Sequence, residues 1–201
     1  AGGKNLKYTS LDTPAVIVDM DIAERNIREM IAAAASAGLS HRPHIKTHRC
    51  SELAHLQIGA GAAGITCAKL GEAEIMASAG ISNILVAYPL IGEAKLQRYA
   101  ALYKRSPGLL TIVNSPAGAK ALSDTAILNG DVYDVLIEID GGTSRGGIAP
   151  GYPALRFADS IRELAGLHIR GLMYYPGANY SEHDDAGIAG AAERGRNDVT
   201  G

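Results

Sequence analysis

Lys46, inside the run HRPHIKTH at residues 41–48, is the residue whose surroundings most invite chemistry. A lysine attacks a carbonyl only as the neutral amine, and burial or neighbouring cations favour that form. Arg42, His44, His48 and Arg49 bring such cations close in sequence. Of the other lysines, Lys4 and Lys7 sit in the N-terminal tail, while Lys95, Lys104 and Lys120 fall on helix-like stretches, where a solvated ammonium explains them. Lys69, also at a strand end, is the weaker alternative. Spacing alone leaves Lys46 as either a nucleophile or a surface lysine beside a strand. If a strand runs through 44–48, alternation puts His44, Lys46 and His48 on one face. His41, His44 and His48 lack the spacing of a one-face helical metal pair, and no carboxylate follows closely. His44 is therefore read as a polar wall beside a bound ring, and no metal site is assigned.

Arg145 lies in IDGGTSRGG at 139–147. Glycines let backbone approach a ligand closely, and a guanidinium binds a carboxylate or phenolate oxygen through its planar fork. A mobile loop with a solvated arginine is the competing reading, and composition does not separate the two. Tyr174 and Tyr175 end a later strand-like run. One tyrosine of such a pair usually serves the core, so Tyr175 is the candidate.

The elements that must position these residues alternate without interruption. Strand-like runs are read at 14–20, 41–48, 62–68, 83–89, 109–114, 133–140 and 168–175. Helices are expected over about 21–37, 51–58, from 70, 93–104, 116–128, 152–165 and 185–194. Asp19 or Asp21 caps the first helix and Gly38 ends it. The strands are near-continuous apolar runs, as in a parallel sheet covered on both faces. Lys46, Tyr88, Asn114, Asp140 and Tyr175 gather at their C-terminal ends, where α/β folds place their sites. The first strand lacks a glycine-rich dinucleotide turn, which favours a (β/α)8 TIM-type barrel over a doubly wound sheet. Eight units typically need ~250 residues, so this 201-residue chain reads as one incomplete barrel domain of something longer.

Composition narrows the partners. A formal net charge of −2 offers no basic field for nucleic acid, and one Phe, nine Tyr and no Trp make a poor base-stacking platform. No run approaches the ~20 apolar residues of a membrane span. Cys50 and Cys67 match no zinc or redox spacing and are expected as buried thiols in the cytoplasm.

LDTPAVIVDMDIAERNI, RPHIKTH and GITCAKLGEAEIMASAGI, followed in order by IEIDGGTSRGGIAPG and IRGLMYYPG, resemble the D-threonine aldolase and D-serine dehydratase family. That family belongs to the fold-type III pyridoxal-phosphate (PLP) enzymes, together with alanine racemase. The resemblance spans about residues 11–177, with RPHIKTH its most specific part. It implies PLP held as a Schiff base on Lys46, and Arg145 near the cofactor phenolate or the substrate carboxylate. It implies Tyr175 facing the ring, and His44 among the cofactor-binding residues. It moves 12–20 out of the barrel to pair with a C-terminal β domain, leaving six of eight barrel strands here. Arg49 stands where many relatives have a second lysine, and YYPG replaces a Tyr-His pair of many aldolases. The family's phosphate loop and its metal pair would lie beyond residue 201, so a divalent metal enters only through residues outside this chain. The implied activity is a lyase on a D-β-hydroxy amino acid, in a homodimer when full length. An amino-acid racemase and a non-catalytic PLP-binding protein are the alternatives.

Overall fold

The computed structural model describes residues 11–200; Lys4 and Lys7 lie outside the described residues. Seven helices and five strands are described among them: α1 (Met20–Ser36), α2 (Ser51–Gly59), β1 (Ile65–Cys67), α3 (Leu70–Ser78), β2 (Ile84–Val86), α4 (Glu93–Tyr103), β3 (Leu110–Val113), α5 (Pro116–Leu128), β4 (Tyr133–Asp140), α6 (Tyr152–Ile161), β5 (Leu167–Tyr175) and α7 (Asp185–Thr200). All strand pairs are parallel, and the strands lie side by side in chain order, β1-β2-β3-β4-β5, with a helix between each consecutive pair. A doubly wound sheet would reverse its strand order part-way; consecutive order is the winding of a (β/α) barrel. The fold is TIM-barrel-like and incomplete in this chain.

Local signals explain the helices. Asp19 caps α1 by accepting from the Ile22 N–H at 3.1 Å. Gly38, at φ +71°, ends it, and the Leu39 N–H returns to the Ala34 carbonyl. Ser115 caps α5, with Pro116 in its first turn. The core lies between sheet and helices: Ile65, Ile84, Val135, Ile137 and Ile139 are buried with Met76, Tyr99, Leu122, Phe157 and Ile161. In β4 burial alternates strictly, so Tyr133, Val135, Ile137 and Ile139 face the helices while Asp134, Leu136, Glu138 and Asp140 face the other way. A bulge between Val135 and Leu136 shifts the register to β5, where Ile169 and then Gly171 are the partners.

Two strand-like runs are not strands. Residues 14–19 make no ladder among the described residues, and Val16 is 97% exposed. The apolar pattern there has no neighbour to pair with among the described residues. At 41–48 the chain runs beside β1 only briefly. The Ala63 N–H donates to the His41 carbonyl and the Thr66 N–H to the Pro43 carbonyl, and His44 bridges Thr66. Pro43 has no N–H to give a ladder, and Ile45–Thr47 then turns into a 3-10 helix. Five strands and one bridge thus replace the six barrel strands expected. The sixth helix ends earlier than expected, at Ile161, and the last runs on to Thr200. No helix among the described residues is long and apolar enough to cross a membrane.

Candidate active site

A cavity of about 640 Å³ opens at the C-terminal ends of the strands. His44, Lys46, Arg145 and Tyr175 all line it, together with Tyr88, Asn114 and Asp140. Lys69 does not; it stands at the N-cap of α3.

Lys46 projects from the 3-10 turn. Beneath it Ile45 is fully buried and anchors the turn, and the Lys46 N–H donates to Nδ1 of His44 at 3.3 Å. Its Nζ has no hydrogen-bond or ion-pair partner among the described residues. The cations expected around it disperse. Arg42 turns to the Ile65 and Asn83 carbonyls and the Asn83 side chain. His48 accepts from the Cys50 N–H through Nδ1, so the neutral ring donates from Nε2 to Gln57. Arg49 pairs with Glu72 at 3.0 Å. His44 alone of the four reaches the cavity, because the chain turns after it instead of continuing extended. Its pKa is lowered, first by burial and next by the charge of Lys46, against opposing contributions from Glu72 and a hydrogen bond with Thr66. The imidazole is thereby favoured neutral.

Arg145 sits on a loop, 141–147, that leaves β4 and returns to it. The Ile148 N–H donates to the Glu138 carbonyl, and the Asp140 N–H to the Ile148 carbonyl. Within the loop, the Asp140 carboxylate accepts from the N–H groups of Gly142, Thr143 and Ser144, each at 3.1 Å. Gly141 is required where β4 ends, since a Cβ there would overlap the Tyr175 carbonyl. The loop is braced by these contacts. The Arg145 guanidinium itself is exposed and has no partner among the described residues.

Tyr174 packs against the core, as expected of one of the pair, and also lines the cavity beside Tyr175. Tyr174 donates to Asp198 of α7 at 3.1 Å, and burial raises its pKa first. The Tyr175 ring lies beside that of Tyr180, with centroids 6.3 Å apart and the planes tilted by 41°. Sequence reasoning missed Glu138, which accepts from Nδ2 of Asn114 at 2.7 Å in the cavity wall. The signal was available: Glu138 lies two residues before Asp140 and therefore shares its face. Cys67 is buried, with its thiol pushed up to about 12 by burial and then by Glu72, whereas Cys50 is only half-buried. Both are free thiols. Among the described residues no three His, Cys, Asp or Glu side chains gather as a metal-holding group.

Residues 18–194 match the family described as alanine racemase, N-terminal domain. The chain belongs to that family. It is 34% identical over 168 residues to a D-threonine aldolase of an Arthrobacter species, covering 84% of this chain and 44% of that protein. It is also 34% identical over 188 residues to the D-threo-3-hydroxyaspartate dehydratase of a Delftia species, covering 93% of this chain and 49% of the relative. Among solved structures, D-threonine aldolase from Filomicrobium marinum superposes with a TM-score of 0.88 at 36% identity, over 93% of this chain and 50% of that one. Alanine racemase of Clostridium difficile superposes at 0.65 with 17% identity, which shows a shared fold. The chain spans about half the length of the relatives it matches. These matches place it with the D-threonine aldolase and D-serine dehydratase relatives.

Proposed function

We propose that this chain is the cofactor-holding part of a PLP-dependent lyase that acts on a D-β-hydroxy amino acid. The observation that carries the reading is the pairing of two partnerless cations, the Lys46 ammonium and the Arg145 guanidinium, on one cavity at the strand C-termini. That set fits PLP: an amine for its aldehyde, a polar wall in His44, and a cation for a phenolate or carboxylate. When bound, PLP supplies an electron sink for negative charge developing at the substrate Cα. Lys46 would hold the cofactor through its amine and, when that amine is free, would serve as the base that moves a proton at the substrate Cα or β-hydroxyl. Arg145 orients the substrate carboxylate through paired N–H donors. Tyr175, beside Tyr180, would form part of the wall against which the cofactor packs. Cleaving Cα–Cβ releases glycine and an aldehyde, whereas losing the β-hydroxyl releases a keto acid and ammonia.

Borohydride treatment of the intact protein with PLP, followed by peptide mapping, is expected to place the reduced adduct on Lys46. Assays with D-threonine, 3-hydroxy-D-aspartate and D-serine then separate the two outcomes by product. An adduct on Lys69, or substrate racemised with no lyase product, overturns the reading.

A further inference from the structure

Glu72 lies on the first turn of α3, is only 5% exposed, and divides its two oxygens between the segment that follows β1 and the turn that carries Lys46. Oε2 accepts from the N–H of Ala68, a cavity-lining residue, at 2.8 Å. Oε1 lies 3.0 Å from Nε of Arg49, outside hydrogen-bond alignment, so the attraction on that side is between charges. Arg49 closes the turn that carries Lys46. Its N–H donates to the Ile45 carbonyl at 2.7 Å, and its φ of +51° is a left-handed conformation that few arginines adopt. A residue persists there only where its surroundings over-determine it, and a buried carboxylate persists only where it is paired. Each requirement answers the other.

We propose that Glu72 is a positioning residue for Lys46: through Arg49 it fixes the turn from which the Lys46 amine enters the cavity, and through Ala68 it ties that turn to the end of β1. The inference rests on the reading of Lys46 as the cofactor lysine. The bland alternative is a helix cap, since a Glu at this place satisfies an N–H near the start of α3. The two roles differ in which oxygen and which charge matter. Glu72→Gln keeps an acceptor for Ala68 but removes the charge that holds Arg49. Arg49→Lys keeps the charge, whereas Arg49→Gly relieves the left-handed backbone but loses it.

Two readouts apply to the intact protein: amide hydrogen exchange over residues 45–49 without cofactor, and the rate of PLP trapping on Lys46 by borohydride. In Glu72→Gln and Arg49→Gly we expect exchange at 45–49 to rise and trapping to fall, each by roughly tenfold, with exchange in α3 unchanged. Arg49→Lys is expected to recover most of both. Wild-type exchange and trapping in Arg49→Gly overturn the proposal even if Glu72→Gln fails to fold, as does faster exchange confined to α3. If wild-type Lys46 takes no PLP, the function proposed above falls, and the exchange at 45–49 decides this inference by itself.

Discussion

Lys46 and Arg145 carry the same charge on one cavity but are not interchangeable, because an ammonium is a point donor and a guanidinium a planar fork. Arg145→Lys keeps the charge and loses the second parallel N–H to a carboxylate. Steady-state kinetics on a D-β-hydroxy amino acid should show kcat/KM falling by about tenfold, while PLP trapping on Lys46 stays unchanged. Unaltered kcat/KM removes Arg145 from the substrate. His44 gives a pH signature of its own. Its folded pKa lies below the ordinary value of 6.5, chiefly through burial and then through Lys46, with Glu72 and Thr66 opposing. The unfolded chain therefore takes up this proton at higher pH than the folded one. The stability that follows is complete above about pH 6.5 and is lost as the pH falls from there through the folded value. His44→Asn should flatten the denaturant midpoint against pH across that window; an unchanged slope assigns the acid sensitivity elsewhere.

At the scale of elements, the brace inside 141–147 is where sequence and function meet most directly. Asp140→Ala removes the acceptor of three exposed N–H groups, which water then satisfies, so the net loss is about 0.5–1.5 kcal/mol. The loop should exchange faster and KM rise, with kcat less affected, because Arg145 loses its fixed approach. Equal KM in the variant would mean that the loop orders itself without Asp140. Much of this was legible beforehand. Helix α5 was readable to the residue, because Ser115, Pro116 and the apolar period act locally. That Lys46, Arg145 and Tyr175 would line one cavity was readable because (β/α) units gather their side chains at the C-terminal end of the sheet. What was not legible depended on partners outside the local window. Residues 14–19 are as apolar as any strand, yet a strand exists only where a neighbour completes its ladder. At 41–48 a single proline and one turn altered the outcome, and with them the faces on which His48 and Arg49 stand. The brace of Arg49 by Glu72, more than twenty positions away, has no sequence signal of its own.

For the whole molecule, the question is what a sheet of five barrel strands does by itself. β5 is nine residues long and, among the described residues, pairs with β4 on one side only, so its other edge keeps N–H and C=O groups without a ladder. Outward from the core, Val16, Ile17 and Val18 are 97%, 52% and 46% exposed, and Leu172 on β5 is 47% exposed. An open strand edge and exposed apolar side chains each offer another copy a surface to pair with. The cavity is open on the same account, since the wall beyond β5 is not supplied by a further strand here. The 201-residue polypeptide should therefore self-associate as its concentration rises, and should hold PLP more weakly than a longer protein in which the remaining barrel strands are supplied. Light scattering over a concentration series and PLP titration by absorbance test both. A concentration-independent monomer that binds PLP as tightly as the longer protein would mean that β5 is covered in solution and that these five strands suffice for the cofactor. Association together with tight binding would assign the missing wall to a second copy of this chain.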